Sequence, residues 1–105
     1  MRIIVLFNLK LDIAVADYEE WALSRDIPGV RSLPSVDDFT LYRTTGLLGG
    51  GDAAPYQYIE VLDVADMKGF FTDTGNATSQ AIAEELKQWI DGPPLYITTE
   101  EVLRV

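Results

Sequence analysis

The sequence contains no cysteine and no histidine. Without cysteine, the chain forms no disulfide and offers no thiol nucleophile. Without either residue, it lacks the usual ligands of zinc and haem iron and cannot assemble a Ser-His-Asp or Cys-His catalytic group. No acidic stretch has the spacing of a calcium loop, and we predict no metal site. Any acid–base chemistry must therefore use Asp, Glu, Tyr, Lys or a bound water.

Basic residues are also few: 8 Lys and Arg stand against 17 Asp and Glu, which gives a formal charge of −9. This charge repels phosphate backbones, so we expect no nucleic-acid partner. No apolar run is long enough to cross a bilayer, which predicts no membrane partner. The opening segment MRIIVLFNLK has no small-residue cleavage site. We interpret it as a strand rather than a signal peptide and expect a cytoplasmic protein.

Hydrophobic periodicity predicts one domain, residues 1–105, with strands and helices in a regular order. The predicted elements are a strand at 2–10, a helix from Asp12 or Asp17 to Pro28, an extended piece at 30–33, a strand at 39–45, a strand at 56–63, a short helix opened by Asp66, a helix at 77–90 and a strand at 95–105. The irregular glycine-rich loop 46–55 joins the two middle strands. It is either a flexible connection or a flap over a site.

The order strand, helix, strand, strand, helix, strand predicts a ferredoxin-like α+β sandwich. In this βαββαβ fold, a four-stranded antiparallel sheet carries both helices on one face. The first strand is apolar on both faces, with Ile4 and Leu6 on one and Ile3, Val5 and Phe7 on the other. Helices cover only one of these faces. We therefore predict a homodimer in which the second faces of two sheets pack together.

The segment 21–43 is the first candidate for a functional site, because it holds three of the five arginines in an acidic chain. Arg25, Arg31 and Arg43 each need a carboxylate or a ligand anion. Arg25 follows the apolar stripe of the first helix. It either caps the last carbonyl groups of that helix or points into a cleft beside the sheet.

Glu60 is the most suggestive acidic residue, because it lies between Ile59 and Val61 in a predicted central strand. A buried glutamate must be paired, or it has a raised pKa and acts in proton transfer. The loop length places Arg43 opposite Tyr58 or Glu60, and a shift of one register step brings Tyr42 there instead. A buried or interfacial Arg–Glu pair is the structural alternative to catalysis.

Three further side chains, those of Tyr18, Trp21 and Asn8, each allow a structural and a functional interpretation. Tyr18 and Trp21 follow the helical stripe, where aromatic residues are more often core than ligand contacts. Asn8 ends the first strand, and it either caps a backbone group of a loop or hydrogen-bonds a ligand.

The segments FNLK, YEEW, SRDIPGVRSLPSVDDFTLYRTTG and PYQYIEVLDV resemble the REDY-like protein HapK family of the dimeric α/β-barrel superfamily. The resemblance spans nearly the whole chain. Members are associated with the biosynthesis of prodiginine pigments and related pyrrole or bisindole compounds. The resemblance implies a cofactor-free protein that acts on electron-rich aromatic heterocycles, with cyclisation as one reaction.

Chemistry and motif position together select ten candidate residues for a small aromatic ligand. The predicted catalytic residues are Asp26, Arg43, Tyr58 and Glu60. The predicted substrate-binding residues are Asn8, Tyr18, Trp21, Arg25, Arg31 and Tyr42. Glu60 or Asp26 would move a proton, a tyrosine or Asn8 would orient the substrate, and Arg43 or Arg31 would stabilise negative charge.

Three functions compete for these residues. The first is a cofactor-free enzyme with a pocket between sheet and helices, walled by Tyr18, Trp21 and later aromatics; superfamily resemblance adds a cofactor-free monooxygenase as a variant. The second is a carrier that binds a hydrophobic pathway intermediate without converting it. In the third, the charged residues only tie segment 21–43 to the sheet.

Overall fold

The computed structural model describes residues 1–102. Its strands are β1 Arg2–Phe7, β2 Val36–Arg43, β3 Tyr58–Val64 and β4 Leu95–Thr98. Its helices are α1 Val15–Trp21, a π-helical turn Ala22–Asp26, α2 Ile27–Arg31, α3 Met67–Asp73 and α4 Ala77–Leu86. No helix among the described residues is long and apolar enough to cross a membrane.

The four strands form one antiparallel sheet in the order β2-β3-β1-β4. The predicted ferredoxin-like α+β fold is therefore confirmed. The two central strands, β1 and β3, are rich in the branched apolar residues that suit a sheet covered by helices. Alternate residues of β1 settle which face the helices cover: Ile3, Val5 and Phe7 are buried, whereas Ile4 and Leu6 are only half-buried.

The first helical segment is longer than predicted, and the expectation that Pro28 ends the helix is wrong. Helical geometry continues through the π-helical turn and α2 to Arg31, so residues 30–31 are helical rather than extended. Pro28 lies in the first turn of α2. A proline is tolerated there because the π-helical turn before it already interrupts the regular hydrogen bonds, as shown by Ile27 N–H donating to Ala22 O.

Contacts between distant parts of the chain also shift the ends of later elements from their predicted positions. The helix predicted at 77–90 stops at Leu86, because Ile90 forms a β-bridge with Leu9 and Trp89 O accepts a hydrogen bond of 2.9 Å from Lys10 N. The last strand ends at Thr98 rather than continuing to Val105. The part of that prediction at 103–105 lies outside the described residues. β2 begins at Val36, three residues before the predicted start.

Asp66 begins α3 as predicted, and its side chain accepts hydrogen bonds from Lys68 N at 3.2 Å and Gly69 N at 2.8 Å. We expect Asp66→Ala to lower the free energy of unfolding by about 1 kcal/mol, the usual effect of losing an N-cap. Asp66→Asn keeps an acceptor at the same place and should stay close to the wild type. Urea denaturation of the two variants tests this. Equal stability of both would contradict a capping role.

Candidate active site

A cavity of about 480 Å³ lies between the sheet and the helices. Its apolar wall is formed by Ile3, Val5, Phe39, Leu62, Met67, Phe70, Phe71, Ile82 and Leu86. Phe71 and Tyr96 also line it and are 69% and 64% exposed, so they mark the side open to solvent. Pockets of this size and character are typical of small-molecule sites.

Two carboxyl groups face this apolar cavity. Glu60 reaches it from the middle of β3, in the row of alternate residues that the helices cover. Asp26 reaches it from the opposite side, at the end of the π-helical turn. Only 7% of Glu60 and 5% of Asp26 are exposed. The π-helical turn therefore contributes Asp26, the second acidic group of the site, in keeping with the tendency of π-bulges to occur at functional positions.

Burial and mutual repulsion change the acidity of this pair. Desolvation raises the pKa of Asp26 to about 6. Desolvation, and after it the negative charge of Asp26, raises the pKa of Glu60 to about 8. The Glu60 Oε1 atom is buried without a hydrogen-bond partner, and no Lys or Arg of the described chain lines the cavity. At neutral pH the pair therefore holds about one proton, shared between its two carboxyl groups.

Tyr96 is a cavity residue that sequence reasoning missed. Val5 of β1 pairs with Glu60 on one side and Tyr96 on the other, so the two side chains share the helix-covered face. The pKa of the Tyr96 hydroxyl is raised by desolvation and then by the charges of Glu60 and Asp26. The sequence contained no signal for this, because the placement depends on the register of β4 against β1.

The three candidate arginines of segment 21–43 do not line the cavity. Arg25 neither caps its helix nor enters the cleft: it forms an ion pair of 2.8 Å with Glu85 of α4. Arg31 donates two hydrogen bonds to the backbone oxygen of Phe39.

Arg43 lies opposite Tyr58 in the β2–β3 register, as one of the predicted placements had it. Its ion pair, however, is with Glu19 of α1, where Nη1 is 2.8 Å from Oε2. The predicted alternative of an Arg43–Glu60 pair is wrong, because Glu60 faces the cavity while Arg43 extends towards α1. Glu60 is therefore buried without a cationic partner among the described residues.

Three of the four candidate aromatic residues, Tyr18, Trp21 and Tyr58, form a cluster beside the cavity, and none of the four lines it. Tyr18 packs edge-on against Phe7 and Tyr58 and contacts Trp21. The Tyr58 hydroxyl donates to Glu19 Oε2 at 2.7 Å, and the Trp21 indole donates to Glu85 Oε1 at 2.9 Å. This packing favours the core reading of Tyr18 and Trp21. The Tyr18 hydroxyl is buried without a hydrogen-bond partner, and desolvation followed by the charge of Glu60 raises its pKa.

The remaining candidates lie elsewhere. Asn8 ties down the end of loop 46–55, since its side chain donates to Pro55 O at 3.2 Å and accepts from Gln57 N at 2.9 Å. This agrees with the capping reading. Tyr42 is 53% exposed and pairs with Ile59 on the sheet face opposite the helices. No residue of loop 46–55 lines the cavity.

The structure and the cavity together define the class: a ferredoxin-like α+β protein whose apolar cavity carries two carboxyl groups. Within residues 1–102, no group of three or more His, Cys, Asp or Glu is arranged to hold a metal ion. The chain belongs to the REDY-like protein HapK family, whose family model matches residues 1–102. No curated protein matches the sequence.

Solved structures share the fold. The crystal structure of HapK from Hahella chejuensis is 26% identical, with a TM-score of 0.70 over 100% of this chain and 98% of that chain. SnoaB, a cofactor-independent oxygenase from Streptomyces nogalater, is 16% identical, with a TM-score of 0.72 over 97% and 94%. A dimeric ferredoxin-like protein of unknown function from Thermobifida fusca is 19% identical, with a TM-score of 0.66 over 91% and 85%.

Proposed function

We propose that the protein is a cofactor-independent enzyme of secondary metabolism that acts on an aromatic heterocyclic intermediate of the pyrrole or indole type. Membership of the HapK family supports this placement. The observation that carries the proposal is the pair of buried carboxyl groups, Asp26 and Glu60, facing one apolar cavity. Buried titratable groups with displaced pKa values in a cavity are the usual mark of an acid–base site.

The chemistry proposed for the pair is proton transfer in both directions. Protonated Glu60 donates its proton to a ring or exocyclic atom of the substrate, and ionised Asp26 accepts one from another position. A ring closure that needs one protonation and one deprotonation, with no change of oxidation state, suits such a pair. Tyr96, at the open side of the cavity, is placed to orient the substrate. No step requires Arg25 or Arg43, whose charges are matched by Glu85 and Glu19.

The test is turnover by Glu60→Gln on a panel of bipyrrole, prodiginine, bisindole and polyketide anthrone substrates, with and without oxygen, followed by mass spectrometry. We expect kcat to fall by about 10²-fold to 10⁴-fold on any substrate that the wild type converts, the usual contribution of one acid–base group. Glu20→Gln makes the same chemical change on an exposed residue and should have no effect. Full activity of Glu60→Gln would remove Glu60 from the mechanism.

A carrier function is the second candidate, because an apolar cavity also suits a protein that only binds a pathway intermediate. Native mass spectrometry of protein from its own host, followed by incubation of the co-purified compound, separates the two. A bound compound that the wild type never converts favours the carrier. Product formation only in the presence of oxygen favours the variant of the enzyme function, a cofactor-free monooxygenase.

We also propose that the protein is a homodimer. Outward-facing residues form two rows across the four strands: Thr40, Val61, Ile4 and Ile97 in one, and Tyr42, Ile59, Leu6 and Leu95 in the other. Seven of these eight side chains are apolar or aromatic, and no helix within residues 1–102 covers them. A second copy of the same face would bury both patches, and the Thermobifida fusca relative of the same fold is dimeric.

A further inference from the structure

We propose that the cavity binds a flat nitrogen heterocycle as its protonated cation, with the carboxyl groups of Asp26 and Glu60 as the counter-charge. This inference rests on the proposed function in one respect: it takes the cavity as the substrate site. It adds the charge of the ligand and the atoms that recognise it. It does not require that the ligand is converted.

The lining of the cavity sets the sign of the ligand charge. The lining contains two carboxyl groups, those of Asp26 and Glu60, and no Lys or Arg of the described chain is present to neutralise their negative charge. In an apolar environment, an anionic ligand beside Asp26 would meet like charge without screening by water. A cation there replaces the missing counter-ion. The formal charge of −9 on the whole chain also favours the approach of cations.

The orphaned oxygen of Glu60 indicates that the ligand donates hydrogen bonds. Glu60 is more than nine-tenths buried, it lines the cavity, and its Oε1 atom has no partner. A buried polar atom without a partner costs free energy until a donor reaches it. A protonated ring nitrogen or amidinium N–H supplies that donor together with the positive charge. The flat apolar walls, including Phe39 and Phe70, suit the remainder of an aromatic ring system.

Cation binding should release the proton held by the pair. Asp26, from the π-helical turn, raises the pKa of Glu60. The charge of Glu60 in turn raises the pKa of the hydroxyl groups of Tyr18 from α1 and Tyr96 from β4, which are the other ionisable groups that face it. The parts of β2, α3 and α4 that line the cavity carry no ionisable side chain. When the cation arrives, the O–H bond of Glu60 breaks, its electron pair remains as carboxylate, and the proton passes to the buffer. The net charge of the site is unchanged, because one positive charge arrives as one proton leaves. A ligand that arrives protonated needs no proton from Glu60, which then acts on it as a proton acceptor rather than as the donor.

Three fluorescent tricyclic probes of similar size test the ligand charge. They are 9-aminoacridine, a cation at neutral pH; 9-anthracenemethanol, which is neutral; and 9-anthracenecarboxylate, an anion. We expect the cation to bind about tenfold or more tightly than the neutral probe, and the anion not to bind. Calorimetry of the cation in phosphate and Tris buffers should show release of up to about one proton near pH 7.

Substitutions separate the cavity from the surface charge. The double variant Asp26→Asn and Glu60→Gln should lose the preference for the cation and keep the affinity for the neutral probe, which also shows that the cavity is intact. Glu60→Gln alone should abolish proton release while leaving Asp26 as a counter-charge. The matched control, Asp17→Asn with Glu20→Gln, removes the same two charges from exposed positions and should keep the preference.

Equal binding of the cation and the neutral probe by the wild type would overturn the inference. Loss of the preference in the surface control would do the same, because it would assign the selectivity to net charge. Cation selectivity without turnover of any substrate would leave the inference standing and remove the proposed enzyme. Turnover that depends on Glu60, with no preference for cations, would leave the enzyme and remove the inference.

Discussion

Replacing Glu60 with glutamine should stabilise the protein at neutral pH, although the same change removes its proposed acid. Between pH 5 and pH 7.5, the free energy of unfolding of Glu60→Gln should rise relative to the wild type by roughly 3 kcal/mol. The reason is that the Glu60 carboxyl group has no cation beside it in the cavity, so burial penalises its ionised form. Acid–base groups that function in apolar sites commonly reduce stability in this way.

The sign follows from the direction of the pKa shift. The pKa of Glu60 rises from its ordinary value of 4.5 to about 8 in the folded chain. Below pH 4.5, Glu60 is protonated in both the folded and the unfolded chain, so its contribution to the free energy of unfolding is fully present. As the pH rises towards 8, the unfolded chain releases the proton and the folded chain retains it, so the wild type loses stability at up to about 1.4 kcal/mol per pH unit.

Asp26 adds a smaller loss at lower pH, because its pKa rises from 3.8 to about 6. The pKa values of Asp63 and Glu85 are lowered by their arginine partners, so their contributions change only in acid. The chain has no histidine to titrate between pH 5 and pH 7.5. The slope in this interval therefore reports mainly on the buried pair.

Urea denaturation of the wild type, Glu60→Gln and Glu20→Gln at several pH values from 5 to 7.5 measures the effect. The wild type and the exposed control Glu20→Gln should lose stability in parallel as the pH rises, whereas Glu60→Gln should be much flatter. Parallel curves for all three proteins would mean that Glu60 ionises normally in the fold.

The second large effect concerns the uncovered sheet face. Ile4→Glu should convert the proposed dimer to a monomer at micromolar concentrations, as measured by sedimentation equilibrium. Ile4 lies on the central strand β1, between Val61 and Ile97. In a two-fold interface, this substitution buries one negative charge from each protomer. The cost of desolvating the two charges strongly disfavours the dimer.

Leu11→Glu is the matched control, because Leu11 is fully exposed and lies outside the sheet. It should remain dimeric. The cavity lies on the helix-covered face of the sheet, away from the proposed interface, so a folded Ile4→Glu monomer should still bind the neutral probe. A wild type that sediments as a monomer would contradict the proposed assembly.

The sequence by itself determined the order of elements and, through that order, the fold. Alternation of apolar residues and breaks at glycine and proline are local signals, so the two apolar faces of β1 indicated a central strand, and Asp66 indicated a helix start. The same alternation placed Glu60 on one face with Tyr58 and Leu62, whereas its burial was seen only in the structure. The absence of histidine limited the acid–base chemistry to carboxyl groups, tyrosines and lysines.

Only the tertiary structure decided which charged residues meet. Arg25 and Glu85 are 60 residues apart in the chain, so their pairing was not encoded in any local pattern. The π-helical turn aims Asp26 into the cavity, although a proline two residues later suggested that the helix had ended. Tyr96 reaches the same cavity through the register of β4. Local sequence specifies backbone conformation, whereas register and helix packing, which depend on distant residues, brought Asp26 and Tyr96 to the cavity that Glu60 faces.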